Sequence, residues 1–323
     1  MTADRQPTAA PPEVSVVIPT HRRETRLAFA LEALAAQTLG RQRFEVIVVR
    51  SPETPPPHAS APEGLEVRFL PAERTSRPAQ RNQGIRAARG PLIAFTDDDC
   101  RPAPGWLEAL AEAAGRDGGF VCGATSPDPD ERHLLHGLAR SQTVEELGPW
   151  YQTCNVAYPR PLLEQLGGFD ERFVASGEDT DLALRALEAG APAGFASDAV
   201  VWHAVLPQPP WEAVGSGWQR WWTTPLLYRR HPAHRRHLWA GLFFARRHAW
   251  LVPLAGGLVV ARRHRWWATA AAAPYALDFL DPAGRGPRAT VRAAIHLPLR
   301  AVADASIAAG LIRGSLRYRS PVI

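Results

Sequence analysis

The chain has 323 residues, 46% hydrophobic and 21% charged, which suits a globular domain with an appendage and excludes a disordered or collagen-like polymer. Its three cysteines, Cys100, Cys122 and Cys154, are too few and too irregularly spaced for a disulfide framework or a zinc site, and point to a reducing compartment. The net charge of +5 hides an asymmetry: residues 206–323 hold 17 arginines against four acids, and eight of the 11 tryptophans.

Residues 1–12 are polar and proline-rich, read here as a disordered tail with no apolar leader of the secretory kind. Val14 to Pro19 reads as a strand, and Arg23 to Gln37 as a helix with apolar residues at Leu27, Leu31, Leu34 and Ala35. Strands follow at Phe44–Val49 and Leu65–Leu70, separated by a proline-rich loop over 52–62. Pro78 to Ala88 is predicted helical, Leu92 to Phe95 a strand, and Trp106 to Ala114 a helix. Further on, strands are expected at 120–123, 154–158 and 200–203, and helices at 161–166 and 179–189. This alternation predicts an α/β fold with a mostly parallel sheet flanked by helices. The shift in composition at Pro207-Gln208-Pro209-Pro210 divides a domain over 13–206 from a basic, tryptophan-rich helical region over 207–323.

Three aspartates, Asp97, Asp98 and Asp99, close the apolar strand at Leu92–Phe95. Carboxylates crowded at a strand end repel one another and lose solvation, which needs a cation or strong donors in compensation. Ligands of open α/β sheets bind at the carboxyl ends of strands, so the cluster reads as a divalent-metal site serving phosphates, with a solvated acidic turn as the plain alternative. A second acidic group, Glu178, Asp179 and Asp181, follows Gly177 and opens a helix. Capping of the helix dipole explains one or two of these acids. A loop delivering a carboxylate to a cleft, held ionised by the helix start as a general base, explains the rest. His203, at the end of an apolar strand, is either structural or a ligand beside the aspartates. Arg81 lies upstream of the same strand, either as a solvated helix face or as a diphosphate contact.

In this order the pieces resemble the family 2 glycosyltransferases of GT-A fold. Four segments carry the resemblance: Val16 to Thr20 with Ala36-Gln37-Thr38; Arg81 to Ile85 leading to Phe95–Asp99; Asn155–Tyr158 followed by Gly167–Glu171; and Gly177–Leu182. The resemblance covers roughly residues 14–205 and implies transfer of a sugar from a nucleotide-diphospho-sugar to an acceptor hydroxyl, with inversion and with Mn2+ or Mg2+ as cofactor. It implies that Pro19 and Thr20 lie by the base and that Arg81 approaches the nucleotide or its diphosphate. Asp97 and Asp99 take the acidic positions of the DxD motif: Asp99 would bind the metal, Asp97 or Asp98 would meet the ribose or base, and His203 would complete the metal shell. Asp179, paired with Glu178, would be the base. One departure stands out. Where this family usually has a base-reading Asp after the second strand, this chain has Arg50, which cannot accept a hydrogen bond from the base. Either the nucleotide is read differently or Glu53 substitutes from the loop. Arg50 favours a second reading, a catalytically silent membrane-associated relative; a nucleotidyltransferase is a third.

In the C-terminal region, apolar runs of 7–15 residues are interrupted by arginine pairs and tryptophans, shorter than the roughly 20 residues a spanning helix needs. Three readings compete: a peripheral, monotopic contact with the cytoplasmic face of a membrane, a helical subdomain or oligomer interface, and nucleic-acid binding, against which the preceding domain argues. The first predicts a cytoplasmic protein with a lipid-linked or cell-envelope acceptor.

Overall fold

The computed structural model describes residues 10–135, 138–260, 265–280 and 287–323. Most of the expected N-terminal tail, and Arg262 to His264 of the basic C-terminal region, lie outside the described residues. The chain divides into two compact units. The first comprises the N-terminal residues to Pro129, Gln142–Glu171 and Glu178–Ala204; the second comprises Asp130–Ser141, Arg172–Gly177 and Val205–Ile323.

The first unit is built on an eight-stranded sheet. Its strands are β1 (Val14–Thr20), β2 (Phe44–Arg50), β3 (Val67–Pro71), β4 (Leu92–Thr96), β5 (Cys100–Pro102), β6 (Phe120–Pro127), β7 (Asn155–Pro159) and β8 (Ala193–His203), in the spatial order β3-β2-β1-β4-β7-β6-β8-β5. Five helices belong to it: α1 (Glu24–Ala35), α2 (Arg77–Ala87), α3 (Trp106–Asp117), α4 (Arg160–Leu166) and α5 (Glu178–Glu188). All seven residues of β1 are buried, as a central strand covered on both faces requires. One core cluster joins β1 and β2 to Leu27, Leu31 and Trp106; the other joins them to Ile85, Phe169 and Leu182. Helix α2 comes so close to β1 that a Cβ on Gly84 would stand 2.3 Å from Val17 Cγ1, so only glycine fits there.

The expected α/β sheet is present, with a division of its own. Pairings β3-β2, β2-β1 and β1-β4 are parallel, whereas β4-β7, β7-β6 and β8-β5 are antiparallel and β6-β8 is parallel. Two features depart from the sequence reading. Strand β8 starts at Ala193 rather than 200, and β5, three residues directly after the triple aspartate, was not foreseen. β5 is too short to show periodicity; its pairing with β8 holds it.

Strand β1 has β2 on one side and β4 on the other. The chain winds outward in one direction through β2 and β3, then returns to the other side of β1. That reversal is the topological switch point of an open α/β sheet, where a crevice forms at the carboxyl ends of the strands.

The second unit is helical: α6 (Pro210–Arg220), α7 (Thr224–Arg230), α8 (Arg246–Val260), α9 (Arg265–Leu280) and α10 (Pro287–Tyr318). Residues 287–318, punctuated by arginines in the sequence, form one continuous helix, α10. Arginine interrupts the hydropathy but not the helix: Arg313 stacks over the Trp218 and Trp222 rings at 5.3 and 5.0 Å, and Arg317 over Trp222 at 5.6 Å. Within Ala294–Tyr318 an 18-residue stretch reaches a mean hydropathy of 1.3, and by length and composition this helix suffices to cross a membrane. One face of this helix is nevertheless taken by protein, since a Cβ on Gly314 would stand 2.0 Å from the Trp222 carbonyl oxygen.

Candidate functional site

Thr20 ends β1, and Asp97, Asp98 and Asp99 follow the end of the neighbouring strand β4, so the switch point brings them together. The Thr20 hydroxyl donates to Asp98 Oδ2 at 2.8 Å, and the His21 backbone N–H approaches the same oxygen at 3.4 Å. Asp98 and Asp99 are 5% and 8% exposed. The guanidinium of Arg23 contacts both, Asp98 Oδ1 at 3.2 Å and Asp99 Oδ2. Burial first, and then the neighbouring charge of Asp99, pushes the Asp98 carboxyl up to about 7. Pro19 is buried within β1, opposite Val49 of β2.

Strand β5 turns Asp99 toward β8. Cys100 lies opposite His203 in the antiparallel register, and the Ala204 N–H donates to the Asp99 carbonyl at 2.8 Å. His203 Nδ1 sits 2.8 Å from the Ala204 carbonyl oxygen. A carbonyl only accepts, so Nδ1 is the donor, which leaves Nε2 as the nitrogen that could ligate a cation. That Nε2 faces Asp99 Oδ1 at 3.7 Å. Among the described residues, the ligand atoms of Asp99, Cys100 and His203 lie within 4.8 Å of one another. Carboxylate oxygen and imidazole nitrogen fit a hard to borderline divalent cation such as Mn2+ or Mg2+. Burial, and then Cys154, hold the Cys100 thiol well above its ordinary range, so it stays protonated and is the weakest donor of the three.

Arg81, on α2, is 1% exposed and joins the two acidic groups. One terminal nitrogen donates to Asp97 Oδ1 at 2.8 Å, the other to Glu178 Oε1 at 3.1 Å, and the guanidinium stacks over Phe169 at 5.6 Å. Its Nε has no hydrogen-bond partner among the described residues. Burial opposes ionisation of Asp97, but the Arg81 and Arg77 guanidiniums outweigh it and hold this carboxyl below the usual range. Three consecutive aspartates thus have three environments: Asp97 is held ionised, Asp98 is pushed up, and Asp99 faces imidazole.

Asp179 follows Glu178 in the first turn of α5, and its Oδ1 accepts from the Thr180 N–H at 2.8 Å. The sequence reading expects the helix start to hold Asp179 ionised. Against the helix start, burial and then the adjacent Glu178 charge push the carboxyl up to about 7, outweighing the hydrogen bond and Arg81. Asp181, grouped with these acids in the sequence, is fully buried and paired with Arg185 at 2.9 Å. The other Arg185 nitrogens donate to the Leu166 and Gly168 carbonyls at 2.8 and 2.7 Å, a structural use.

Asn82, next to Arg81, is also structural. Its amide accepts from the Phe169 N–H at 2.8 Å and donates to the Phe169 carbonyl at 2.9 Å, fixing the loop that places Phe169 under Arg81. Gly168, at φ +71°, makes that loop possible, and a Cβ there would stand 2.5 Å from Asn82 Oδ1.

Arg50, at the position where the resemblance has a base-reading Asp, is engaged within the protein. Its guanidinium is bidentate to Glu24 at 2.9 and 3.1 Å, donates to the Ala59 carbonyl at 3.2 Å, and stacks on Phe69 at 4.6 Å. Glu24 in turn accepts from the Ala59 N–H at 2.6 Å, so the pair ties the 51–62 loop to α1. A half-buried arginine at a strand end is satisfied by the nearest carboxylate, and Glu24 supplies it. Glu53 pairs with Arg22 at 3.7 Å, and both side chains are exposed. Arg23, which reaches two of the three aspartates, was missed by the sequence reading; the available signal was a basic residue three positions beyond the end of β1.

Comparison with known proteins follows the same outline. The family described as Glycosyl transferase family 2 matches residues 15–168, and that described as Glycosyl transferase family group 2 matches residues 92–280. Glycosyltransferase AglE of Haloferax volcanii is 28% identical over 216 residues, covering 62% of this chain and 69% of AglE. Validoxylamine A glucosyltransferase of Streptomyces hygroscopicus subsp. limoneus is 28% identical over 222 residues, covering 56% of this chain and 49% of that enzyme, so the chain spans about half the length of this relative. Among solved structures, the mannosyltransferase PcManGT from Pyrobaculum calidifontis, in complex with GDP-Man and Mn2+, superposes with a TM-score of 0.53 at 19% identity, covering 94% of this chain and 87% of that one.

Proposed function

Since the chain belongs to the family 2 glycosyltransferases, we propose that it moves a sugar from a nucleotide-diphospho-sugar to an acceptor hydroxyl by a single in-line displacement that inverts the anomeric centre. The observation that carries this reading is the bridge made by Arg81, which brings the aspartates after β4 and the acids opening α5 to one guanidinium. A donor site and a base must flank the same sugar, and this bridge sets the two acidic groups side by side.

Asp99 and His203 are the residues to hold Mn2+ or Mg2+, which when bound would neutralise charge on the leaving diphosphate. Arg81 supplies a fixed positive charge to that diphosphate from a buried position, where it acts in a low dielectric. Thr20 and Pro19 border the base, and Asp97 and Asp98 meet the ribose or base edge. Arg50 acts on the nucleotide through the 51–62 loop that it ties to α1, as a positioning residue. Asp179 takes the proton of the attacking hydroxyl; its raised affinity for a proton suits a base working near neutral pH. Glu178 holds Arg81 and keeps Asp179 basic.

The second unit supports peripheral contact with the cytoplasmic face of a membrane. Trp211 on α6 is 74% exposed, Leu277 on α9 72%, and Ile295 and Leu316 on α10, a helix that also carries Arg300, Arg313 and Arg317, are 68% and 78% exposed. Apolar and basic groups together suit an anionic lipid surface, and a lipid-linked or cell-envelope acceptor would be met there. Salt-sensitive co-sedimentation of the full chain with phosphatidylserine vesicles is expected, and its absence at low salt would remove this part of the reading.

The test of the catalytic assignment is Asp179→Asn. Donor binding, measured by calorimetry with Mn2+, stays within about twofold of wild type, while transfer falls roughly 10²–10⁴-fold, the range of a general base. Loss of donor binding in parallel with transfer would show that Asp179 belongs to the donor site instead.

A further inference from the structure

Arg23 is used by none of the roles above, yet its guanidinium contacts two of the aspartates assigned to metal and nucleotide. Its Nη1 lies 3.2 Å from Asp98 Oδ1 and against Asp99 Oδ2. The other oxygen of Asp98 accepts from Thr20, and the other oxygen of Asp99 faces His203 Nε2. Two consecutive buried carboxylates need a cation nearby, and here one guanidinium supplies the charge. A divalent ion on Asp99 and His203 would share the Asp99 carboxylate with that guanidinium, and two cations on one carboxylate repel.

We infer that Arg23 is a resident counter-cation: it occupies Asp98 and Asp99 while the site is free of metal, and it gives up Asp99 when a divalent cation binds. The inference rests on the metal reading of Asp99 and His203 given above. The side chain can make the exchange. It is 40% exposed, belongs to the residue preceding α1, and makes no side-chain cap to that helix. The exchange lowers the metal affinity of the empty site, so that metal is held firmly only when donor phosphates add their own negative charge. Arg23 is therefore a positioning residue of the donor site, acting by competition for a ligand oxygen.

The test is the Mn2+ affinity of the full chain without any nucleotide, read from the paramagnetic resonance signal of free Mn2+. Arg23→Gln removes the competitor and binds Mn2+ about tenfold more tightly than wild type, equivalent to about 1.4 kcal/mol. Arg23→Lys, which keeps a cation there, stays near wild type. Arg22→Gln removes a neighbouring charge that touches neither aspartate and leaves the affinity within about twofold, because exposed charges are screened. If wild type binds Mn2+ and Arg23→Gln binds it no more tightly, the inference falls and the metal reading stands. Equal tightening by Arg22→Gln or Arg23→Lys would also overturn it, as a general field effect. If neither wild type nor Arg23→Gln binds Mn2+, the inference falls, and the metal reading is then decided by Mn2+ binding in the presence of a nucleoside diphosphate, whose absence would remove it as well.

Discussion

Arg81 donates to Glu178 at 3.1 Å across 97 positions of sequence, so a helix preceding the triple aspartate is locked to the first turn of α5, which carries the second acidic group. The same guanidinium holds Asp97 at 2.8 Å. Arg81→Gln would leave two acids beside each other without their cation. Breaking a buried ion pair from one side typically costs about 3–5 kcal/mol, so a marked fall in melting temperature is expected together with loss of donor binding. Arg81→Lys should recover little, since one ammonium cannot span the two acids as a planar fork does. Thermal denaturation and calorimetric titration of both variants check this; a fully stable Arg81→Gln that binds donor normally would contradict it.

The pH dependence of transfer follows from Asp179. Its carboxyl is pushed up to about 7 by burial and by Glu178, and the base works only when ionised. The rate should therefore fall about tenfold per pH unit below about 7 and level off above it. Glu178→Gln removes the second cause and should shift the acid limb to lower pH. A pH–rate profile of wild type and variant reads this directly, and an unmoved limb would show that another group titrates.

A stability prediction comes from Glu45, a glutamate fully buried within β2. Its carboxylate accepts from the Ser15 hydroxyl at 2.8 Å, the Arg89 N–H at 2.8 Å and the Arg89 Nε at 2.9 Å. Burial raises its proton affinity, but these donors outweigh that and hold the carboxyl below its ordinary value. Stability from such a group is complete above the unfolded value of about 4.3 and is lost as pH falls through the lower folded value. Glu45→Gln should cost about 1–3 kcal/mol at neutral pH. The denaturation curves of the two forms should converge as pH falls below 4, and a constant gap would refute the linkage.

Arg50 and Glu24 should behave as one unit. Arg50→Gln and Glu24→Gln each release the 51–62 loop, and each should raise proteolytic cleavage within it and weaken donor binding modestly. The double variant should lose little more than either single one, because contacting residues are not additive. Strictly additive losses would place Arg50 directly on the donor.

Much of this was legible in the sequence. The strands β1, β2 and β4 are apolar runs long enough to read, and acids at the end of a buried strand are hard to explain without a ligand. What the sequence hid is of two kinds. Arg23 and β5 depend on strand order, because only the pairing of β5 with β8 brings Asp99 to His203. Arg50 and Asp181 carry charges whose partners, Glu24 and Arg185, are named by packing rather than by motif. The raised proton affinity of Asp179 belongs to the same class: helix position favours the ionised acid, and burial beside Glu178, which only packing reveals, opposes it.

The central claim is a metal-assisted donor site at the switch point between β1 and β4. Its most direct test is release of nucleoside diphosphate from a panel of nucleotide sugars, with Mn2+ or with chelator, followed alongside thermal stabilisation. At least one donor should stabilise wild type and release nucleotide in a Mn2+-dependent manner, with both effects lost in Asp99→Asn. If no donor stabilises the protein with Mn2+ present, or if Asp99→Asn responds as wild type does, the account is contradicted.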